Sequence, residues 1–189
     1  VTARIMAANT TSGTQQAYES PGIRIFQGLR PDIVGIQEFN YESGSLRDLV
    51  DTAFGTGFHY YCEGGSEQIP NGIISRWPIT ASGEWNDSEV SNRDFAWATI
   101  DIPGGRDLHV VSVHLLTSSS SARAREATEI TSRMQAAFPS TDYVVLCGDM
   151  NTGNRNEQAI QTFETFLSDA RVPTDQAGDY DTNEPRSKP

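Results

Sequence analysis

The sequence predicts an α/β fold built on mixed β-strands, and three features carry that prediction. Two apolar runs, residues 4–8 and 32–36, flank a stretch of helical periodicity, which makes a β-α-β unit with a short crossover and favours parallel pairing. Three later strand-like runs, residues 79–85, 95–102 and 107–115, are divided only by turn-prone segments such as Pro103-Gly104-Gly105 and look antiparallel. In the run 107–115, Val111, Val113 and Leu115 alternate with Val110, Ser112 and His114, so neither face reads as solvated. Strands of both kinds require a mixed sheet or two sheets packed face to face, and the doubly covered strand supports the second.

In chain order, Arg4 to Ala8 is a first strand ending on Asn9, and residues 10–19 read as a polar loop. Ile23, Phe26 and Leu29 recur at helical spacing until Pro31 stops the helix. Asp32 to Ile36 is a second strand, ending on Gln37 and Glu38. Ser45 can cap a helix reaching Phe54, with Leu46, Leu49, Val50 and Ala53 on one face. Residues 58–62 are strand-like, and the turn Glu63-Gly64-Gly65-Ser66 leads to another strand over 72–77, punctuated by Pro78. Thr117 to Ser121 lacks the glycine and lysine of a phosphate loop and reads as the N-cap of a helix lined by Ala127, Ile130, Met134 and Ala137. The apolar run Tyr143-Val144-Val145-Leu146 enters Cys147-Gly148-Asp149-Met150-Asn151, and Ile160, Phe163, Phe166 and Leu167 mark a last helix. No strand or helix is expected after Arg171.

A chain of 189 residues is long enough for one sizeable core, so residues 1–189 are treated as a single domain acting as a monomer. No apolar run approaches the roughly 20 residues that cross a bilayer, and Val1-Thr2-Ala3-Arg4 does not read as a signal peptide. The formal charge of −11, with thirteen arginines and the single lysine Lys188, argues against tight nonspecific binding to duplex nucleic acid. The same composition fits an extracellular or periplasmic protein. Cys62 and Cys147 sit in β-like segments where buried free thiols are common; a disulfide between them stays open, and no Cys/His spacing resembles a zinc site.

Several strand ends share one property. Asn9, Glu38, His114 and the pair Asp149/Asn151 each follow an apolar run, and all offer oxygen or imidazole. If the backbone stays extended past Asp149, the two-residue period puts Asp149 and Asn151 on one face. Each has a plainer reading: Asn9 as turn former, Glu38 as a loop charge, His114 as a core histidine, Asp149 as the cap of a turn. Jointly, carboxylates buried near one another need a positive partner. Oxygen donors without thiolate suit Mg²⁺ or Mn²⁺. A metal held by Glu38 would polarise a phosphoryl oxygen, Asp149 would orient or deprotonate water, and Asn9 and Asn151 would donate to the developing charge. His114 would bind phosphate as imidazolium or protonate the leaving oxygen. Arg93 and Arg76 are candidate phosphate ligands, with a surface ion pair as the alternative, and Asn71 is a candidate for holding His114 or phosphate. His59 and His109 lack such company.

The segments Met6-Ala7-Ala8-Asn9, Ile36-Gln37-Glu38, Asn71-Gly72-Ile73-Ile74-Ser75-Arg76-Trp77-Pro78-Ile79, Val111-Ser112-Val113-His114-Leu115 and Gly148-Asp149-Met150-Asn151 resemble, in order, those of the endonuclease/exonuclease/phosphatase superfamily of metal-dependent phosphoesterases. The resemblance implies a four-layer α/β sandwich with two central mixed β-sheets and the site at their shared edge. It implies Glu38 as principal metal ligand, with Asn9, Asp149 and Asn151 serving metal, water and phosphate. His114 matches the deoxyribonuclease-like and sphingomyelinase-like branches. Thr11 stands where apurinic endonucleases carry aspartate, which argues against that branch. The family's closing Ser-Asp-His block is missing, since the last histidine is His114. Residues 1–189 are therefore expected to be an excerpt lacking the final strands, and to hydrolyse phosphodiesters poorly or not at all by themselves.

The expected activity is divalent-metal-dependent phosphodiester hydrolysis, nuclease-like, on DNA or RNA. The alternatives are a phosphatase or phospholipase C-like enzyme on a lipid or sugar phosphate, and a non-catalytic binding member of the fold.

Overall fold

The computed structural model describes residues 2–9, 19–65 and 67–169. Their elements run β1 (Ile5–Asn9), α1 (Glu19–Leu29), β2 (Ile33–Gln37), α2 (Leu46–Phe54), β3 (His59–Cys62), β4 (Gly72–Ser75), β5 (Ile79–Trp85), β6 (Phe95–Ile100), β7 (Leu108–His114), α3 (Ser120–Ala137), β8 (Tyr143–Asp149) and α4 (Gln158–Glu164). The polar loop expected before α1 falls largely, and the segment after Arg171 wholly, outside the described residues.

Local chemistry accounts for the helix ends. Ser45 Oγ accepts the Asp48 N–H at 3.2 Å while the Asp48 carboxylate accepts the Ser45 N–H at 2.9 Å, a reciprocal cap that fixes the start of α2. Ser119 caps α3 by accepting the Ala122 N–H at 3.2 Å. Helix α1 begins ahead of its apolar periodicity, at Glu19, because Pro21 falls in the first turn where no N–H is needed. Two expected core positions are corrected. Leu29 is 57% exposed, since α1 ends there and the chain leaves through Arg30 in the left-handed region (φ 49°). Ala137 also faces solvent, and Phe138, which leaves α3 in extended conformation, fills the core position against Trp85 and Trp97.

The strands form two four-stranded mixed sheets, β1-β2-β4-β3 and β5-β6-β7-β8. Each contains one parallel pair, β1/β2 and β7/β8, and its other pairs are antiparallel. Phe26 of α1 and Leu49, Val50 and Ala53 of α2 pack on Val34, Ile36 and Ile74 of the first sheet. Ala127, Ile130 and Met134 of α3 and Ala159 and Phe163 of α4 cover Val111 and Val113 of the second. Between the sheets lie Ile33, Ile73, Ala96, Ala98, Ile100, Leu108 and Val110. This is the four-layer sandwich, helices outside and sheets facing, and it explains why every residue of β7 is buried.

The sheets are locked in register near one edge. Gln37 donates to Ser112 Oγ at 2.9 Å, and Ser112 Oγ donates to the Ile36 carbonyl at 3.1 Å, so two buried polar side chains from opposite sheets satisfy each other. Beside them a Cβ on Gly35 would overlap the Cys147 sulfur. Cys62 and Cys147 are both free thiols, and burial pushes each up to about 12. Gly35→Ala should therefore destabilise by about 1–3 kcal/mol through overpacking. Cys147→Ala in the same chain should recover most of that loss, because the remaining neighbours of the new Cβ lie at ordinary contact distance, 3.5 Å. Urea denaturation of the two single variants and the double variant measures the coupling; additive losses would show that the sulfur is not what excludes a side chain at 35.

Candidate active site

Parallel pairing sends β1 and β2 out of the sheet at one edge, and β7 and β8 leave their sheet at the same edge. The register places Asn9 opposite Gln37, next to Glu38, and His114 opposite Asp149. Because the sheets face each other there, four strand ends deliver polar groups to one place. Asn9 Nδ2 donates to Glu38 Oε1 at 3.2 Å and to Asp149 Oδ2 at 3.1 Å, so one amide is shared by two acids far apart in sequence. The His114 ring stands between the same acids, Nδ1 3.9 Å from Glu38 Oε1 and Nε2 3.7 Å from Asp149 Oδ2. These distances exceed hydrogen-bond length and leave the charges within strong Coulombic reach.

Asn151 joins the group by a different route from the one expected. The strand stops at Asp149, and Asn151 adopts the left-handed region (φ 48°), so the two side chains do not alternate along an extended backbone. Asp149 Oδ1 accepts the Asn151 N–H at 3.1 Å, and Asn151 Nδ2 donates to the Leu115 carbonyl at 2.9 Å. The turn-cap reading of Asp149 holds for one carboxylate oxygen, and the other faces Asn9. Glu38 too has a positive φ, 53°, which swings its side chain out of the strand. Left-handed non-glycine backbone is uncommon, and here it falls on two residues of one cluster.

Burial pulls the His114 imidazole below its usual value, the nearby Arg93 guanidinium lowers it further, and Asp149 and Glu38 oppose both. Burial and Arg93 thus disfavour the imidazolium. Among the described residues, His114 Nδ1 and Asn71 Oδ1 are both buried without a hydrogen-bond partner. Asn71 sits on this edge, just before β4, and its amide donates to the Asp94 carbonyl at 2.7 Å.

The two arginines are corrected as phosphate ligands. Arg76 follows β4, which runs antiparallel to β2, so it lies at the opposite end of the sheet from Glu38 and pairs there with Asp32 at 3.1 Å. The ion-pair alternative holds for it. Arg93 is at the site and 5% exposed, donating from Nε to the His114 carbonyl at 2.5 Å and from a terminal nitrogen to the Leu115 carbonyl at 3.1 Å. It stands behind the histidine. His109 is structural: its ring lies between Thr99 Oγ1 at 3.0 Å and Asp142 at 3.1 Å and stacks on Phe138.

Buried charges that the sequence reading missed surround this edge. Glu63, Asp87, Arg123 and Glu126 are each less than a tenth exposed. Two carried a visible signal, since Arg123 and Glu126 fall on the stripe of α3 that holds Ala127, Ile130 and Met134. Glu63, whose carboxylate accepts the Asn71 N–H at 2.7 Å and the Asp94 N–H at 3.2 Å, is pushed up to about 7 by burial.

Among the described residues, no three His, Cys, Asp or Glu side chains are arranged as a metal cage. Magnesium does not require one, because it keeps several waters and takes one or two carboxylates. Glu38 and Asp149, sharing an amide and lacking any thiolate neighbour in the cluster, fit such a hard cation by donor type.

The Endonuclease/Exonuclease/phosphatase family model matches residues 23–186. No curated protein matches the chain. Among solved structures, a family protein from Bacteroides thetaiotaomicron aligns with a TM-score of 0.69 at 18% identity, covering 85% of this chain and 66% of that one. The Bacteroides thetaiotaomicron mannosyl-6-phosphatase Bt3783 aligns with a TM-score of 0.69 at 18% identity, covering 86% and 69%. A humanized D. rerio TDP2 aligns with a TM-score of 0.67 at 16% identity, covering 85% and 66%. The chain thus spans about two thirds of the length of these neighbours, and at such identities the likeness is one of fold. Family match, double-sheet framework and the ordered strand-end motifs lead to one conclusion: this chain belongs to the endonuclease/exonuclease/phosphatase family.

Proposed function

We propose that the protein is a divalent-metal-dependent hydrolase of phosphodiester bonds, nuclease-like in substrate, in which water attacks a phosphate seated at the junction of the two sheets. The observation that carries this reading is the Asn9 amide shared by Glu38 and Asp149, with the His114 ring between the acids. Two carboxylates held so close repel unless a positive group joins them. Glu38, with Asn9 beside it, would hold Mg²⁺ or Mn²⁺, which when bound supplies Lewis acidity toward a phosphoryl oxygen. Asp149 orients the attacking water and takes its proton. Asn151 donates one of its two amide hydrogens to Leu115, which aims the amide, and the second serves a phosphate oxygen. His114 offers one N–H and one acceptor nitrogen while neutral. The negative charge of a bound phosphate raises its proton affinity, which suits it to protonate the leaving oxygen.

A second reading, hydrolysis of a sugar or lipid phosphate, is favoured by charge. The chain carries −11, and neither Arg76, at the far end of its sheet, nor Arg93, buried behind His114, tracks a polyanion backbone. Composition also suits an extracellular or periplasmic setting for either substrate.

Hydrolysis by the complete protein of plasmid DNA, single-stranded RNA, bis(p-nitrophenyl) phosphate and a panel of sugar phosphates, with and without Mn²⁺, separates the two readings. Metal-dependent cleavage of the diesters is expected, lost on chelation, and reduced at least about 10²-fold by Glu38→Ala or His114→Ala. Activity on the monoesters alone would favour the second reading, and wild-type rates in both variants would overturn both.

Metal binding is read separately from turnover. Saturating Mn²⁺ or Mg²⁺ should raise the melting temperature of the wild-type protein, by about 3 kcal/mol of stabilisation at a hundred times the dissociation constant. Glu38→Ala should abolish the shift. An equal shift in that variant would place the ion elsewhere.

A further inference from the structure

The segment leaving β7 is held in an unusual way. Its four successive carbonyls, from His114 to Thr117, are all taken by buried arginines. Arg93 donates to His114 and Leu115, and Arg123 donates through one nitrogen to Leu116 at 2.8 Å and to Thr117 at 3.0 Å. Each arginine is in turn anchored. Arg123 makes a two-pronged pair with Glu157 at 2.9 Å on both oxygens. Arg93 lies in the field of four acids, Glu126 and Asp87 on one hand and Glu38 and Asp149 of the site on the other. Glu126 also receives the Leu116 N–H at 3.1 Å on each oxygen, so the backbone is gripped at N–H and carbonyl alike.

The grip reaches the site through bonds already described. The Leu115 N–H donates to the Asp149 carbonyl at 3.0 Å, and the Leu115 carbonyl takes both Arg93 and Asn151 Nδ2. Moving Leu115 would therefore displace His114, Asp149 and Asn151 together. Among the described residues, the buried Asp87 Oδ2 has no hydrogen-bond partner. Burial and the adjacent Asp87 push Glu126 up to about 8, and burial raises Asp87 as well.

We infer that Arg93 and Arg123, backed by Glu126, Asp87 and Glu157, form a clamp on residues 114–117 that positions His114 and the Asp149–Asn151 turn for the reaction. The inference rests on the proposed phosphoesterase site for its kinetic consequence, while its structural consequence stands alone. None of these five residues is a catalytic residue in this assignment; they act through Leu115 and its neighbours. The planar fork, not only the charge, is what the clamp uses, because one guanidinium reaches two carbonyls in fixed directions.

The test compares Arg93→Lys, Arg123→Lys, Glu126→Gln and Glu126→Leu with wild type in the complete protein. Three readouts are taken: kcat and KM on bis(p-nitrophenyl) phosphate with Mn²⁺, melting temperature, and amide hydrogen exchange. Arg93→Lys is expected to lower kcat about 10²-fold, the scale of a misplaced reacting group, with KM changed less than about threefold. The Leu115 and Leu116 amides should lose protection in both lysine variants, while Val34 and Ile74 in the other sheet keep theirs. Glu126→Gln, which offers an acceptor for Leu116 and a donor for Asp87, should retain much more activity than Glu126→Leu. A uniform loss of protection across both sheets, unchanged kcat in Arg93→Lys, or equal effects of Gln and Leu at 126 would overturn the clamp. Should wild type show no turnover with Mn²⁺, the phosphoesterase reading fails, and the selective exchange at Leu115 and Leu116 still decides the clamp. If Arg93→Lys does not fold, Arg123→Lys carries the same comparison.

Discussion

Everything at the functional edge depends on two parallel strand pairs, one in each sheet, ending at the same place and facing each other. A parallel pair sets two strand ends side by side; two such pairs in facing sheets set four ends around one point. Asn9, Glu38, His114 and Asp149 occupy those ends, which is how residues up to 140 positions apart share a hydrogen bond. The relation between the sheets must then be held to a fraction of a side chain. Gln37 and Ser112 bond across the interlayer at the last buried positions before the site, and the absence of a side chain at Gly35 lets Cys147 come in against it. A shift of one sheet over the other would break both contacts and separate Asp149 from the Asn9 amide that it shares with Glu38.

Charge is distributed in a way that bulk composition hides. The chain is strongly acidic, yet Arg93 and Arg123 lie inside the molecule, close behind a site that gathers carboxylates. Removing an ion from water costs several kcal/mol, so each buried arginine is surrounded by acceptors that use its full fork. The result is a guanidinium, Arg93, fixed on the inner side of this edge, whose field reaches Glu38 and Asp149. His114 feels this field directly, since Arg93 adds to burial in disfavouring its charged form. Left-handed backbone at Glu38 and Asn151 adds strain of about 1–3 kcal/mol each, and those are the positions where the chain must turn a side chain out of a strand and into the cleft.

Local signals in the sequence located most elements. Ser45 followed by Asp48, the serine run before α3, and strand runs punctuated by Pro78 or Gly104-Gly105 act over a few residues, and the observed boundaries follow them closely. The departures have local causes as well. Leu29 and Ala137 satisfy helical periodicity but stand in final turns, where the neighbouring chain departs from the axis and the core position passes to another residue. At Asp149 the assumption of extended backbone failed because the side chain itself bonds the Asn151 N–H and starts a turn.

By itself the sequence determined which strands end on polar groups: Asn9, Glu38, His114, Asp149 and Asn151 were identifiable because an apolar run that stops on an amide, an acid or an imidazole is a contrast within a few residues. Their role could be inferred only jointly, from order and residue type. Only the tertiary structure decided which arginine belongs to that group. Arg76 and Arg93 look alike in sequence, each beside a strand, yet antiparallel pairing carries Arg76 to the far end of its sheet while the covering helix α3 seals Arg93 behind His114. The reason is physical: a strand's side-chain pattern records which faces are apolar, whereas its direction and the partners of a long charged side chain are set by contacts between segments distant along the chain.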